Sequence, residues 1–220
     1  MASETDTPIR IKICGLSTEA TLTAALEAGA DWVGLVHFPR SPRHVSLERA
    51  ATLSSLARGR SERVVLLVDP DDALIAAAVA AVDPDLIQLH GHESPERVAA
   101  IRARTGRPVM KALGIASHAD LAALPAYAAV ADRILLDAKA PPDAALPGGN
   151  GRRFDWEILH GADLPSNTML SGGLDAANVA EALARTGINA VDVSSGVESA
   201  PGTKDPDRIA AFVAAARAAR

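Results

Sequence analysis

Thr168-Met169-Leu170-Ser171-Gly172-Gly173-Leu174 and, one helix-length segment later, Ala190-Val191-Asp192-Val193-Ser194-Ser195-Gly196 carry the same plan twice. A short apolar run ends in Ser and Gly. Residues 175–185 between them have helical spacing and an Asp at the start. Runs this short and this apolar fit strands covered on both faces, the setting of a parallel sheet. Each unit reads as strand, small-residue loop, helix.

Working outward, the same unit fills the chain. Strand candidates lie at 9–14, 31–37, 63–68, 85–90, 108–113, 133–137, 168–171 and 190–194. Helix candidates lie at 18–28, 47–57, 72–82, 95–104, 119–124, 155–159, 175–185 and 205–219. Strict eightfold alternation points to the α/β class and a single (β/α)8 TIM barrel. The competing arrangement is a doubly wound open sheet. Cys14-Gly15-Leu16-Ser17, after the first strand, lacks the spacing of a dinucleotide fingerprint, which weakens it. A chain of 220 residues is enough for one domain with a full core and small for two. Residues 9–220 are therefore read as the catalytic barrel and 1–8, which are polar, as a flexible N-terminal tail. The Pro/Gly-rich stretch 138–153 reads as a functional loop.

Aromatic residues make up 3% of the chain, so Ala, Val, Leu and Ile must build the core. The net charge of -5 comes with no basic run, so nucleic acid is not an expected partner. Cys14 is the single cysteine, which excludes an intramolecular disulfide and a cysteine-rich metal site. The start has neither the basic nor the apolar part of a signal peptide. No apolar run approaches the roughly 20 residues that span a bilayer. The expectation is a cytoplasmic protein without a membrane partner, working as a monomer or homodimer.

Barrel enzymes build their sites at the C-terminal ends of the strands and in the loops that follow. The polar residues there are Cys14, His37 with Arg43, Asp69, His90, Lys111, Asp137, Ser171-Gly172-Gly173, and Asp192 with Ser194-Ser195-Gly196. Cys14 reads either as a small buried hydrophobe or as a thiolate at the mouth of the pocket. Asp137 reads as a cap or as a partly desolvated carboxyl with a raised pKa, suited to a general acid. The paired Ser/Gly loops after strands seven and eight offer backbone N–H groups, with helix N-termini behind them, to a phosphate. Arg43, in a Pro-stiffened loop, suits a carboxylate. His37 and His90 read equally as core histidines. The helical spacing of a zinc site is absent, so no metal is expected. By themselves these residues describe a barrel enzyme acting on a phosphorylated small molecule, with a Cys/Asp proton-transfer pair.

The segments taken together resemble the phosphoribosylanthranilate isomerase family over about residues 9–216. The resemblance rests on Ile11-Lys12-Ile13-Cys14-Gly15, Phe38-Pro39-Arg40-Ser41-Pro42-Arg43, Gln88-Leu89-His90-Gly91, Leu135-Leu136-Asp137 and Gly148-Gly149-Asn150-Gly151. It extends through Leu170-Ser171-Gly172-Gly173-Leu174 to Asp192-Val193-Ser194-Ser195-Gly196-Val197-Glu198. It implies Cys14 as general base, Asp137 as general acid and Arg43 as the ligand of the anthranilate carboxylate. Gly172, Gly173, Ser194, Ser195 and Gly196 would hold the phosphate. Gly149 would belong to the loop closing over the substrate, and His90 and Asp192 would join the substrate contacts. The implied reaction is an Amadori rearrangement of tryptophan biosynthesis, with no cofactor and no metal.

The chain departs from the family pattern at Asn150, Arg152, His37 and Asp69-Pro70, none of them in the acid, base or phosphate motifs. A ribulose-phosphate epimerase would need a metal-binding set at strands two, three and seven, where His37, Asp69 and Ser171 leave it incomplete. The isomerase barrel of histidine biosynthesis would need aspartates at strands one and five, where Cys14 and Leu113 stand. A non-catalytic barrel that only binds a phosphorylated ligand would not require both Cys14 and Asp137.

Overall fold

The computed structural model describes residues 8–140, 148, 153 and 155–219. All but the last residue of the tail read over 1–8 lies outside these, as do Gly149, Asn150 and Arg152. Eight parallel strands close into a barrel in chain order. They are β1 Arg10–Cys14, β2 Trp32–Val36, β3 Glu62–Leu67, β4 Leu86–Leu89, β5 Val109–Ile115, β6 Arg133–Ala138, β7 Thr168–Leu170 and β8 Ala190–Val193. Closure comes from β1 against β8, with Arg10 opposite Ala190 and Ile13 opposite Val193. No helix among the described residues is long and apolar enough to cross a membrane.

The barrel is wrapped by α1 Glu19–Glu27, α2 Leu47–Ala57, α3 Asp72–Val82, α4 Pro95–Thr105, α5 Leu124–Ala128, α6 Val179–Thr186 and α7 Pro206–Arg217. The start signals in the sequence work as caps. Thr18, Ser46, Asp71, Ser94 and Asp205 each accept a hydrogen bond from a first-turn N–H.

Two helix candidates are shorter and tighter than their spacing suggests. The segment read at 119–124 is a 3-10 turn, His118–Ala123, running into the short α5, whose Pro125 fits only a first turn. The segment read at 155–159 is a single 3-10 turn, Trp156–Leu159, capped by Asp155. A third expectation also changes. The helix read from 175 begins only at Val179, because Asp175 and Asn178 satisfy one another's backbone N–H groups in a local turn.

Because strand side chains alternate with period two, residues two apart share the barrel interior. Trp32, Val64, Leu86, Met110, Leu135, Met169 and Ala190 fill the lower interior with apolar bulk. Two residues further along four of these strands the chemistry changes: Leu86 gives way to Gln88, Leu135 to Asp137, Met169 to Ser171 and Ala190 to Asp192. The floor of the mouth is thus polar and rests on a dry plug.

Candidate active site

One cavity opens at the C-terminal end of the barrel. Its wall holds Cys14 from β1, Arg43 after β2, Gln88 and His90 at β4, and Asp137 on β6. Ser171, Gly172 and Gly173 follow β7, and Asp192, Ser194 and Ser195 lie on and after β8. Val36, Phe38, Leu66 and Val68 give it one apolar flank.

Asp137 is 6% exposed. Its Oδ1 accepts the N–H of Ala138 at 2.9 Å, and its Oδ2 lies 3.3 Å from His90 Nε2. Gln88 Nε2 stands 3.1 Å from His90 Nδ1. With the amide set this way Nδ1 accepts, so Nε2 carries the ring proton and donates it toward Asp137. The other end of that amide, Gln88 Oε1, is buried with no hydrogen-bond partner among the described residues. Gly148 and Gly172 close over the acid. A Cβ at 148 would stand 2.6 Å from Asp137 Oδ2, and one at 172 would meet the backbone of Ala138 at 2.7 Å. Gly172 also has φ +87, so the β7 loop turns back over Asp137 in a conformation glycine takes freely.

On the other side, Cys14 is buried between Val36 and Leu66. Burial pushes its thiol up, and the ammonium of Lys12 offsets only part of this. Lys12 lies wholly inside the barrel, with Nζ 2.7 Å from Asp192 Oδ1, while Ser171 Oγ donates to Asp192 Oδ2 at 3.1 Å. Burial works against the charge on Lys12, yet Asp192 and Cys14 hold its pKa above the usual lysine value. Two separately held groups, a thiol and a carboxyl, therefore face one cavity that also takes in the Ser/Gly loops after β7 and β8.

The profile of the family described as "N-(5'phosphoribosyl)anthranilate (PRA) isomerase" matches residues 11–215. The chain belongs to the N-(5'-phosphoribosyl)anthranilate isomerase family. A relative from Azorhizobium caulinodans bearing that name is 67% identical over 211 residues, covering 96% of this chain and 92% of its own. The crystal structure of phosphoribosyl anthranilate isomerase from Thermotoga maritima superposes with a TM-score of 0.84 at 35% identity, over 94% of this chain and 98% of the other. A second solved phosphoribosyl anthranilate isomerase, in complex with reduced 1-(o-carboxyphenylamino)-1-deoxyribulose 5-phosphate, gives 0.81 at 35% over the same shares.

Within this barrel, the residues expected at the mouth divide into two groups. Cys14, Arg43, His90, Asp137, Ser171, Gly172, Gly173, Asp192, Ser194 and Ser195 line the cavity. His37, Asp69, Lys111 and Gly196 do not. His37 Nδ1 lies 2.9 Å from the carbonyl of Val45, and Asp69 Oδ1 accepts the N–H of His92. Lys111 sits out of phase with the inward-facing residues. It is buried against Glu93, its Nζ 2.8 Å from Glu93 Oε2, and it fixes the β4–α4 loop. Gly196 serves packing: a Cβ there would fall 1.9 Å from the carbonyl oxygen of Leu174. The helix N-termini expected behind both Ser/Gly loops are also displaced. α6 starts six residues past Gly173, and β8 is followed by the 3-10 turn Ser195–Val197.

The sequence reading missed Lys12, Gln88, Glu198 and Lys204. Period-two counting back from Cys14 and His90 would have placed the first two inside the barrel. Glu198 and Lys204 lie on β9 Glu198–Ala200 and β10 Thr203–Lys204, a small hairpin with no place in a strict β/α count. Glu198 takes both Nε and Nη2 of Arg43, at 2.7 and 2.9 Å, and the ammonium of Lys204 at 2.7 Å. Burial opposes its charge, but Arg43 and Lys204 hold the Glu198 carboxyl below its usual range. Lys204 also donates to the Ser194 carbonyl at 2.8 Å, tying the hairpin to the β8 loop.

Arg43 is thus one half of a buried ion pair and not a solvated loop residue. Arg43→Ala is expected to cost about 3 kcal/mol of stability, near the low end for breaking a buried pair because Lys204 still compensates Glu198. A solvated arginine would cost within about 0.5 kcal/mol. A urea midpoint series decides between them, and an unshifted midpoint would refute the buried pair.

Proposed function

We propose that this chain catalyses the isomerisation of N-(5'-phosphoribosyl)anthranilate to the carboxyphenylamino-deoxyribulose phosphate in the cytoplasm. In this reading Cys14 is the general base and Asp137 the general acid. The observation that carries it is their placement on separate walls of one cavity, with the β7 and β8 Ser/Gly loops beside them. An aldose-to-ketose shift needs one proton delivered to the ribose ring oxygen and another removed from the neighbouring ribose carbon. Two fixed groups do this without crossing roles. Asp137 protonates the ring oxygen and the ring opens to a Schiff base. Cys14 takes the proton from the adjacent carbon, giving an enolamine that tautomerises to product.

His90 holds the Asp137 carboxyl by its Nε2, so it acts on the acid as well as on the substrate. The anthranilate carboxylate goes to Arg43, which the pair with Glu198 holds in place. The phosphate goes to the loops of Gly172, Gly173, Ser194 and Ser195. Turnover with freshly made substrate tests the reading directly; a folded protein that binds substrate without forming product would leave only a ligand-binding barrel.

Two further results are expected. Arg43→Ala should raise KM far more than it lowers kcat, because a carboxylate remote from the reacting carbons is held alike in ground and transition states. A loss confined to kcat would contradict that role. Crystals grown with ample phosphate or sulfate should show an anion at the N–H groups of Gly173 and Ser195. Anion density elsewhere, with this place empty, would move the phosphate site.

A further inference from the structure

Lys12 is a buried cation that the acid–base scheme leaves unused, and its position gives it a task. Both Cys14 and Lys12 face the backbone of Gly34 on β2: a Cβ at that position would stand 2.9 Å from Cys14 Sγ and 3.2 Å from Lys12 Nζ. Two atoms that close to one point are at most about 6 Å apart, within the reach of roughly 4–6 Å over which an opposite charge moves a thiol. Any side chain at 34 would occupy the space through which they meet.

The other neighbours of Cys14 are accounted for. β2 and β3 offer the apolar Val36 and Leu66. β8 offers Asp192, whose charge opposes a thiolate, and Ser194, whose Oγ donates to the Cys14 carbonyl at 3.1 Å. β10 offers Lys204, which favours the thiolate but is already held by Glu198 and Ser194. The loop after β2 brings Arg43 against Gly15, with its fork on Glu198. Asp137 and His90 belong to the β6 and β4 walls of the same cavity. Lys12 is thus the cation that shares with Cys14 the space over Gly34.

We propose that Lys12 is the positioning residue of the general base: its ammonium, shared between Asp192 and Cys14 over Gly34, is the counter-ion of the Cys14 thiolate. This rests on the reading of Cys14 as the base. It gives a physical route to a thiolate in a buried place. The proton that Cys14 gives up leaves a charge already faced by a fixed cation, and the thiol formed by proton abstraction returns Lys12 to Asp192. Asp192 competes with the thiolate for Lys12 and so sets how strongly the lysine acts.

The test uses the thiolate ultraviolet absorbance of the whole protein as a function of pH, read as the difference from Cys14→Ser; Cys14 is the single cysteine, and the subtraction removes the phenolate of Tyr127, which absorbs in the same region. Lys12→Met should raise the thiol's apparent pKa by about 1–3 units, and the pH at which kcat/KM rises should move up with it. Asp192→Asn keeps an oxygen for Lys12 and offers its amide N–H to the Ser171 hydroxyl, which can accept, while removing the competing charge, so it should lower the thiol pKa. If Lys12→Met, which strands the Asp192 charge, does not fold by circular dichroism, the double variant Lys12→Met/Asp192→Asn, which strands no charge, is compared with Asp192→Asn, and its thiol pKa should be the higher by about 1–3 units. Opposite shifts support the assignment. A thiol pKa that methionine at position 12 leaves unmoved, in the wild-type or the Asp192→Asn background, overturns it, and a lysine that only fills the barrel predicts just that. The titration needs no turnover. If Cys14→Ser kept wild-type kcat, the base assignment would fall independently of the spectroscopic result.

Discussion

Cys14→Ser is expected to lower kcat by about 10²–10⁴, the range for loss of a general base, and to leave the fold intact. Serine nearly matches the thiol in size, so the pocket between Val36 and Leu66 closes around it with little change. What changes is the acidity. A hydroxyl is far harder to ionise than a thiol, so serine offers almost no anion to accept the proton from the ribose carbon. Burial alone does not separate the two readings of this residue, since a structural cysteine is also buried. Turnover does, and an unchanged kcat in a protein with native circular dichroism would return Cys14 to the core. The wild-type pH profile carries a related expectation. Because burial holds the thiol above the usual cysteine value, the base form grows as pH rises, and kcat/KM should climb on the alkaline side of neutrality. A profile flat through that range would mean that substrate binding, and not the thiol, governs the rate.

The barrel was legible because its signal is redundant. Eight short apolar runs with eight intervening segments fix a closed parallel sheet even where single segments deviate. The 3-10 turn at Trp156–Leu159 and the late start of α6 change no strand order. The wall of the site was legible wherever a residue ends a strand on the inward phase, as Cys14, Asp137 and Asp192 do. Lys111 failed by that same rule: it closes on Glu93 because it lies out of phase with Met110 and Ala112, which face the interior plug. The place of Arg43 at the mouth was legible but its surroundings were not. Glu198 lies 155 positions away on a two-strand hairpin, and no local pattern announces a pair between them. Such contacts belong to the closure of the barrel, where sequence distance and spatial distance part company.

Asp137→Asn should reduce kcat by a similar factor, about 10²–10⁴. Asparagine keeps an oxygen for the Ala138 N–H and nearly the same volume, so the small space beneath Gly148 and Gly172 stays filled. It cannot deliver a proton to the ribose ring oxygen. Its amide also meets the Nε2–H of His90 donor to donor if the nitrogen takes the place of Oδ2, so the side chain should settle with its oxygen toward one partner only. A modest stability loss is therefore expected beside a large kinetic one, and the ratio of the two identifies a chemical role. Circular dichroism melts read the first and steady-state turnover the second. In the double variant with Cys14→Ser the losses should combine less than additively, because ring opening and proton abstraction lie on one path and a disabled step cannot be disabled again. Full additivity would mean that the two residues act independently in a single rate-limiting transition state. Wild-type kcat in Asp137→Asn would move the acid elsewhere. Asp192 would be tested next, since it is the other carboxylate among the described residues lining the cavity and its two oxygens already serve Lys12 and Ser171.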